Sequence, residues 1–175
     1  MRRRDYINLI LNSISDSFDI YHNYHFKDRK FVVYAYNNKS NEKFESANMA
    51  KLWESNAFEH LFFINCDCLD VDKFNELYKW TIDNIEPHFV RGDKRFPAKN
   101  HMYSYISFII ITKEPITYEV ESLIKKSNYH KNYLFGARGF VDIRIAVITP
   151  STGELTVNKN GAKIGNFLRE LLPIS

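Results

Sequence analysis

Hydrophobic residues in this chain follow two periods, and the alternation between them predicts the order of the elements. Over residues 5–18 the apolar side chains recur at helical spacing, and Asp5 stands where a helix N-cap is expected. Over residues 18–44 the pattern changes to the β-branched and aromatic segments FDIYHNYHF and KFVVYAY, separated by KDRK. These patterns predict a helix followed by a β-hairpin. The segment EKFES predicts a further short edge strand, and residues 46–56 predict a short helix.

The middle of the chain alternates between buried strands and helices. HLFFINC is a continuous apolar run that is typical of a buried strand. Asp70 then precedes a helical pattern over residues 71–85. The pair Glu86-Pro87 predicts the end of this helix, because a residue before proline disfavours the helical region. A second buried strand is predicted over residues 102–112, and Thr117 is expected to cap a helix over residues 118–127.

The C-terminal part predicts a loop, a hairpin and a last helix. Residues 129–139 form a basic-aromatic loop, which leads into an apolar strand over 140–149, a turn at 150–153 and a strand over 154–158. A final helix is expected over residues 162–172, before Pro173.

The order strand–helix–strand–helix–strand implies right-handed crossovers and parallel neighbouring strands. We expect an α/β to α+β fold with a single mixed β-sheet. Its core is a βαβαβ unit with flanking antiparallel hairpins, and helices pack on the sheet. Residues 1–175 are predicted to form one globular domain.

Composition supports a packed core and gives no clear partner. The chain is 45% hydrophobic and 15% aromatic, which is too apolar for a disordered protein. The formal net charge is only +3, which does not identify a nucleic-acid binder. The placement of the charges therefore matters more than their sum.

The two cysteines predict a reducing compartment. Cys66 and Cys68 lie in a C-x-C string among apolar residues, whereas a structural zinc site uses pairs such as C-x₂-C. We expect both thiols to be buried, reduced and free of metal. The N-terminus lacks the pattern of a signal peptide, and the longest apolar run is too short for a transmembrane helix. The chain is therefore expected to be cytoplasmic and not to contact a membrane.

No catalytic signature stands out. The strings G-x-S-x-G, Walker A and G-x-G-x-x-G are absent, and no cofactor, metal or catalytic residue is expected. Gly136 and Gly139 precede a strand, whereas phosphate-binding loops precede a helix. An enzyme is therefore the less favoured interpretation.

One enzymatic alternative comes from the element order, which resembles the restriction-endonuclease-like core. That family carries an Asp on one strand and D/E-x-K on the next, but the strand starting near Glu59, which should carry D/E-x-K, has no lysine there. Asp142 and Arg144 resemble the D/E-x-K motif only distantly, and they lie on another strand. The alternative is thus a degenerate phosphodiesterase acting on nucleic acid with Asp142 and His130.

Basic and aromatic residues concentrate in two loops that precede the predicted parallel strands. Because these strands run in the same direction, the loops should meet at one end of the sheet. Parallel sheets more often bind ligands at the carboxyl ends of their strands, which argues against a site at this end. The competing interpretation is that these basic residues are ordinary solvent-exposed side chains without a binding role. The candidate binding face comprises Arg95, Lys99, His101, Tyr129, His130, Lys131, Arg138, Asp142, Arg144 and Lys159.

The strings HMYSYI, YHKNYLFGARGFVDIRIAVI and NKNGAK resemble, in their order, a family of small α/β proteins of unknown function from anaerobic microbes. The resemblance covers most of residues 5–172, is most specific over residues 129–144, and implies no activity or cofactor. It draws attention to His101, His130, Lys131, Gly136, Gly139, Asp142, Arg144 and Lys159.

The preferred hypothesis is a non-catalytic cytosolic binding or regulatory module. Its basic-aromatic face would take an anionic ligand or partner, with nucleic acid among the candidates. The alternatives are the degenerate phosphodiesterase and a structural protein that self-associates, for instance as a homodimer.

Overall fold

The computed structural model describes residues 1–38 and 57–172. Within them the strands are β1 (Asp19–Phe26), β2 (Arg29–Asn38), β3 (Ala57–Cys66), β4 (Tyr103–Thr112), β5 (Tyr129–Asn132), β6 (Phe140–Thr149) and β7 (Glu154–Val157). The α-helices are α1 (Arg3–Ile14), α2 (Val71–Trp80), α3 (Tyr118–Lys126) and α4 (Ala162–Glu170). The edge strand expected at EKFES and the helix expected over residues 46–56 lie outside the described residues.

The seven strands form one sheet, in the order β1-β2-β3-β4-β6-β5, with β7 also paired to β6. The central strands β3, β4 and β6 are parallel. The hairpin β1–β2 joins β3 in antiparallel pairing, and β5 and β7 are antiparallel to β6. This arrangement confirms the predicted α/β fold with a single mixed sheet.

Helices cover both faces of the sheet. On one face α1 and α4 pack against alternate residues of the central strands, such as Leu61, Ile109 and Ile148. On the other face α2 and α3 pack against the intervening residues, such as Phe62 and Ile110. Continuous apolar strands are the expected consequence, because both faces are buried.

The helix α2 begins as the sequence predicted, and the π-helix that follows it runs past the expected end. The Asp70 side chain accepts a hydrogen bond from the Lys73 amide, which confirms the N-cap. Phe74 and Leu77 are buried on the sheet, and burying each such side chain is worth about 1.5–3 kcal/mol. The prediction that the helix stops at Glu86-Pro87 is wrong, because the chain continues as a π-helix over Thr81–Val90. Proline removes one N–H, and the wider turn of a π-helix accommodates its ring within this segment.

Two further boundaries differ from the expectation. The first helix begins at Arg3, so Asp5 is not its N-cap but lies in the first turn and pairs with Arg2 at 2.8 Å. A carboxylate in the first turn is favourable to the helix dipole, so the sequence signal was real but misplaced. The segment expected to be a loop from residue 129 begins with the edge strand β5, whose polar residues are tolerated because it lies at the edge of the sheet.

The cysteines do not have the predicted burial. Cys66 ends β3 and is half-buried, and Cys68 lies beyond the strand and is exposed. The Cys66 Sγ donates to the Cys68 carbonyl at 2.9 Å, and burial raises the pKa of the Cys66 thiol. The apolar pattern of β3 ends before the second cysteine. No helix of residues 1–38 or 57–172 is long and apolar enough to cross a membrane.

Candidate functional site

The two basic loops meet at the amino ends of β4 and β6, as the sequence predicted. The Arg138 Nη1 donates to the Pro97 carbonyl at 2.8 Å, and the His101 ring contacts the Arg138 carbonyl at 2.8 Å through Nδ1. The Phe140 amide donates to the Met102 carbonyl at 3.2 Å. We call the surface formed by residues 94–103 and 133–140 the loop face.

A hydrogen-bonded loop presents an aromatic ring at the loop face. Leu134 and Phe135 both have positive φ, at 49° and 53°, which is unusual for residues other than glycine. The amides of Gly136 and Arg138 donate to the Tyr133 carbonyl, and the Tyr133 amide donates to the Gly139 carbonyl. These bonds hold the strained backbone, and the Phe135 side chain is fully exposed.

An open depression of about 500 Å³ lies between the two loops. Its rim includes the exposed Lys99 and Met102, and its wall includes Tyr103 and Phe140, whose rings stack at 5.3 Å. Gly139 allows the two loops to approach each other closely. It has φ +71°, and a Cβ there would lie 1.8 Å from the Met102 carbonyl oxygen. The depression therefore depends on a glycine at this position.

A buried carboxylate anchors the loop face to the helix behind it. Glu86 lies in the π-helix and accepts from Arg91, from Lys131 at 3.0 Å and from the Tyr133 hydroxyl. Burial raises the pKa of Glu86, but the hydrogen bonds from Arg91, Tyr133 and Lys131 outweigh it, and the pKa lies below its usual value. The charges of Arg91 and Lys131 are thus paired with the carboxylate of Glu86.

His101 supports the loop face from inside. Its ring is buried, and Nε2 lies 2.8 Å from the Ser104 Oγ, while Nδ1 faces the Arg138 carbonyl. Because a carbonyl can only accept, Nδ1 carries the proton and Nε2 accepts from the serine. Burial lowers the pKa of His101, which keeps the ring neutral. The geometry gives His101 a structural role in joining the two loops.

A second polar group lies on the face of the sheet that α1 and α4 cover elsewhere. Asn37, Glu59, Tyr105 and Asp142 are in register across β2, β3, β4 and β6, and Ser107 and Arg144 occupy the next row on the same face. We call these six residues the polar row. The Arg144 guanidinium lies over the Tyr105 ring, 3.3 Å from its centroid, and 3.8 Å from the Glu59 carboxylate.

A histidine–aspartate pair lies at the edge of the polar row. The His130 Nδ1 is 2.7 Å from the Asp142 Oδ1, and the Asn132 amide nitrogen is 2.9 Å from the His130 Nε2. The Asn160 amide also approaches Asp142, at 3.3 Å. A carboxylate accepts and an amide nitrogen donates, so Nδ1 carries the proton and Nε2 bears the lone pair.

The structure divides the ten sequence-predicted residues among several environments. Arg95, Lys99, His101 and Arg138 belong to the loop face, and Lys131 belongs to the Glu86 cluster, whereas Asp142 and Arg144 belong to the polar row and His130 lies at its edge. Tyr129 is half-buried, and burial raises its pKa to about 12. Lys159 is exposed and its backbone amide donates to Asn128.

Sequence reasoning missed the residues whose roles depend on distant partners. Glu86 was assigned only to a helix end, because its partners Lys131 and Tyr133 lie 45 and 47 positions away in the chain. Asn37 and Ser107 gave no signal, because Asn37 begins the polar run that follows an apolar strand and Ser107 is a small polar residue within one. Phe135 was noted only as one of the aromatics of its loop.

In the part of the chain that the structure describes, no three His, Cys, Asp or Glu side chains form a group that could hold a metal ion. The Cys66–Cys68 pair is separated from the histidines named above, which lie at the other end of the sheet.

No curated protein and no solved structure matches the chain. A family model described as a domain of unknown function, DUF8052, matches residues 2–170. The match covers the loop face and the polar row together with every described strand and helix. The chain therefore belongs to the family of this domain of unknown function, DUF8052.

Proposed function

We propose that the protein is a binding module whose loop face engages an anionic ligand or partner, without catalysis at that face. The observation that carries the proposal is the convergence of residues 94–103 and 133–140 around one open depression. Basic residues that are far apart in the sequence thereby lie together at the amino ends of β4 and β6.

The cations of the loop face differ from their neighbours in what they contact. Arg91 and Lys131 are engaged with Glu86. Lys94, Arg95 and Lys99 are exposed, and none of these three makes an ion pair with a carboxylate of residues 1–38 or 57–172. Exposed cations attract anions and raise the rate of encounter with them.

The exposed Phe135 extends the chemistry of the face beyond charge. Exposing a whole phenyl ring forgoes about 1.5–3 kcal/mol of burial, and the positive φ of Leu134 and Phe135 adds strain. Exposed cations and an exposed ring on one face suit ligands that carry both phosphate and an aromatic or apolar group. We therefore propose that the ligand contacts Lys99 at the depression, with Arg95 and Phe135 as the further groups of the loop face that it can reach.

The test is salt-dependent retention on a phosphocellulose resin. Arg95→Glu/Lys99→Glu should elute at much lower salt than the parent, because retention falls with the number of phosphate contacts. Lys30→Glu/Lys113→Glu makes the same charge change at the opposite end of the sheet, where β2 begins and β4 ends. Equal loss of retention in both variants would show that only net charge matters and would overturn the proposal.

A second candidate function is supported by the His130–Asp142 pair. A histidine with Nδ1–H bound to a carboxylate and an acceptor Nε2 has the arrangement of a general base once a substrate displaces the Asn132 amide from Nε2. This is the degenerate phosphodiesterase of the sequence analysis. Hydrolysis of bis-p-nitrophenyl phosphate with added divalent metal, lost in His130→Asn, would favour it. No hydrolysis above the His130→Asn background would dismiss it.

Self-association is the third candidate, and exposed apolar residues favour it. Met102, Leu134 and Phe135 are exposed and all lie on the loop face. A dimer formed through them should dissociate in Phe135→Ser, which sedimentation velocity would detect. A parent protein that sediments as a monomer at high concentration would remove this candidate.

A further inference from the structure

The polar row contains buried hydrogen-bond donors that its own residues do not satisfy. Arg144 is 5% exposed, Ser107 1% and Asn37 3%. The Arg144 Nε and Nη1, the Ser107 Oγ and the Asn37 Nδ2 are all buried without a hydrogen-bond partner among the described residues. Native proteins leave few such groups, because each costs about 1–3 kcal/mol when unpaired.

The donors lie on one face of the sheet, with Arg144 and Ser107 on adjacent strands and Asn37 two strands from Ser107. Ser107 and Arg144 are register partners on β4 and β6, and Asn37 and Glu59 are partners on β2 and β3. The Arg144 side chain crosses β4, since its guanidinium lies over the Tyr105 ring and reaches within 3.8 Å of Glu59. The guanidinium therefore reaches from β6 across β4 to the side chain of Glu59 on β3, and adjacent strands lie about 4.8 Å apart.

Glu59 compensates the charge of Arg144 but not its hydrogen bonds. A distance of 3.8 Å from Nη1 to the carboxylate is an ion pair and is too long for a hydrogen bond. The other carboxylate of the row, Asp142, is engaged by His130 and Asn160. A guanidinium has five N–H donors and no acceptor, so only acceptor atoms can satisfy it.

The chemistry of the open groups selects the ligand. Arginine and the asparagine amide nitrogen only donate, and the serine hydroxyl can donate as well. A group that only accepts matches this set better than an amide or an alcohol, which would bring donors of its own. Carboxylates and phosphates are such groups, and guanidinium binds both strongly.

We propose that the polar row is a binding site for an oxyanion, a carboxylate or a phosphate group, held by Arg144 and Ser107, with Asn37 at its edge. This site is separate from the loop face and does not depend on the function proposed there. Glu59 lies beside the ligand position, so it weakens the binding of an anion while it holds the guanidinium in place. Removing the charge of Glu59 should therefore strengthen the binding of an anion, which would not be expected if Arg144 and Glu59 formed only a structural ion pair.

The experiment uses the ¹⁵N–¹H signal of the Arg144 side-chain Nε–H in the full chain, assigned by its loss in Arg144→Lys. Acetate and inorganic phosphate are titrated at constant ionic strength set by chloride, and acetamide serves as the neutral isostere of acetate. We expect acetate, phosphate or both to move the Arg144 signal and the backbone amides of Ser107 and Ile145, and acetamide to leave them in place. The oxyanion that moves them identifies which source the site takes.

Three variants decide what the signal means. Arg144→Lys keeps the charge and loses the planar donors, so the oxyanion should bind at least tenfold more weakly. Because the Arg144 signal is lost in this variant, binding is measured from the shift of the Ser107 backbone amide. Glu59→Gln should bind it at least threefold more tightly, because a neighbouring negative charge is removed. Arg95→Glu/Lys99→Glu should bind it as the parent does, which separates this site from the loop face.

Several results would overturn the proposal. They are an Arg144 signal that neither oxyanion moves, acetamide shifts as large as those of acetate, and weaker binding in Glu59→Gln than in the parent. In the first case ordered water satisfies the donors. Loss of the oxyanion response in Arg95→Glu/Lys99→Glu would place the binding at the loop face instead.

Discussion

The loop face and the polar row both hold charged residues near the amino ends of the central strands, but the environments of those charges are opposite. In the loop face the buried His101 is hydrogen-bonded, the Tyr133 hydroxyl donates to Glu86 behind the face, and Lys94, Arg95 and Lys99 are exposed without an ion pair among the described residues. In the polar row the charged groups are themselves buried, and Arg144 keeps donors without partners among the described residues. An exposed charge can change with little effect on folding, whereas a buried one affects binding and stability together.

The largest expected effect is the loss of the polar-row arginine. Arg144→Met removes the cation of a buried ion pair with Glu59, so the free energy of unfolding should fall by about 3–5 kcal/mol. Arg144→Met/Glu59→Gln also removes the negative charge that Arg144 balances and should recover more than half of that loss. Urea denaturation measures both variants. A double variant as unstable as the single one would mean that the charge of Glu59 is not what Arg144 balances.

The next effect separates the closure of the loop face from its charges. Gly139→Ala forces a Cβ against the Met102 carbonyl and keeps a positive φ, so it should destabilise the protein by about 2–4 kcal/mol. Gly136→Ala is the matched control, because Gly136 also has a positive φ, of +92°, but open space around it. It should cost only about 1–2 kcal/mol. Thermal denaturation that ranks the two variants in the reverse order would contradict the close approach of the two loops.

A third prediction concerns the pH dependence of stability, which should differ between buried and exposed histidines. Burial, and then the charge of His101, lower the pKa of His60 from 6.5 to about 3. Between these values the unfolded chain binds a proton that the folded protein does not. Stability should therefore fall as the pH is lowered through this window, by up to about 1.4 kcal/mol per pH unit.

The variants that test this pair a buried histidine with an exposed one. His60 accepts or donates one hydrogen bond with the Tyr34 hydroxyl at 2.9 Å, which an asparagine can preserve. His60→Asn should flatten the pH dependence of the free energy of unfolding, whereas His22→Asn, at an exposed position of β1, should leave its slope unchanged. Parallel slopes in the parent and His60→Asn would show that His60 binds a proton equally in both states.

The sequence predicted what depends on neighbours in the chain. Apolar periodicity located β3, β4, β6 and the helices between them, and capping chemistry at Asp70 and Thr117 located two helix starts. Strand direction then predicted correctly that the loops before β4 and β6 meet. Local rules failed at Pro87, where a π-helix continues past a residue that ends most α-helices.

The environments of single polar residues could not be predicted in the same way. Arg144 pairs with Glu59, which is 85 positions away, and Lys131 pairs with Glu86, so neither partner is visible in a local pattern. Both arginine and lysine are usually exposed, and a sequence-based expectation places them at the surface. Whether such a charge is free for a ligand is decided by the carboxylates that the fold brings beside it.

The smallest expected effect concerns the hydroxyl that links the loop face to Glu86. Tyr133→Phe removes one of the hydrogen bonds to this carboxylate and leaves the buried ring in place, so stability at neutral pH should fall by about 1.5–3 kcal/mol at most. The same bond lowers the pKa of Glu86, so the variant should have a higher pKa at that position. A lowered carboxyl pKa contributes stability above the usual value of 4.5 that is lost as the pH falls through the folded value. The difference in stability between parent and variant should therefore shrink as the pH drops below that value. Tyr118→Phe, at a tyrosine that is 83% exposed, is the matched control and should show no difference at any pH.

If the difference in stability between parent and Tyr133→Phe is the same at pH 7 and at pH 3, the hydroxyl does not stabilise the charged form of Glu86. Tyr133 would then hold the loop face by the packing of its ring alone.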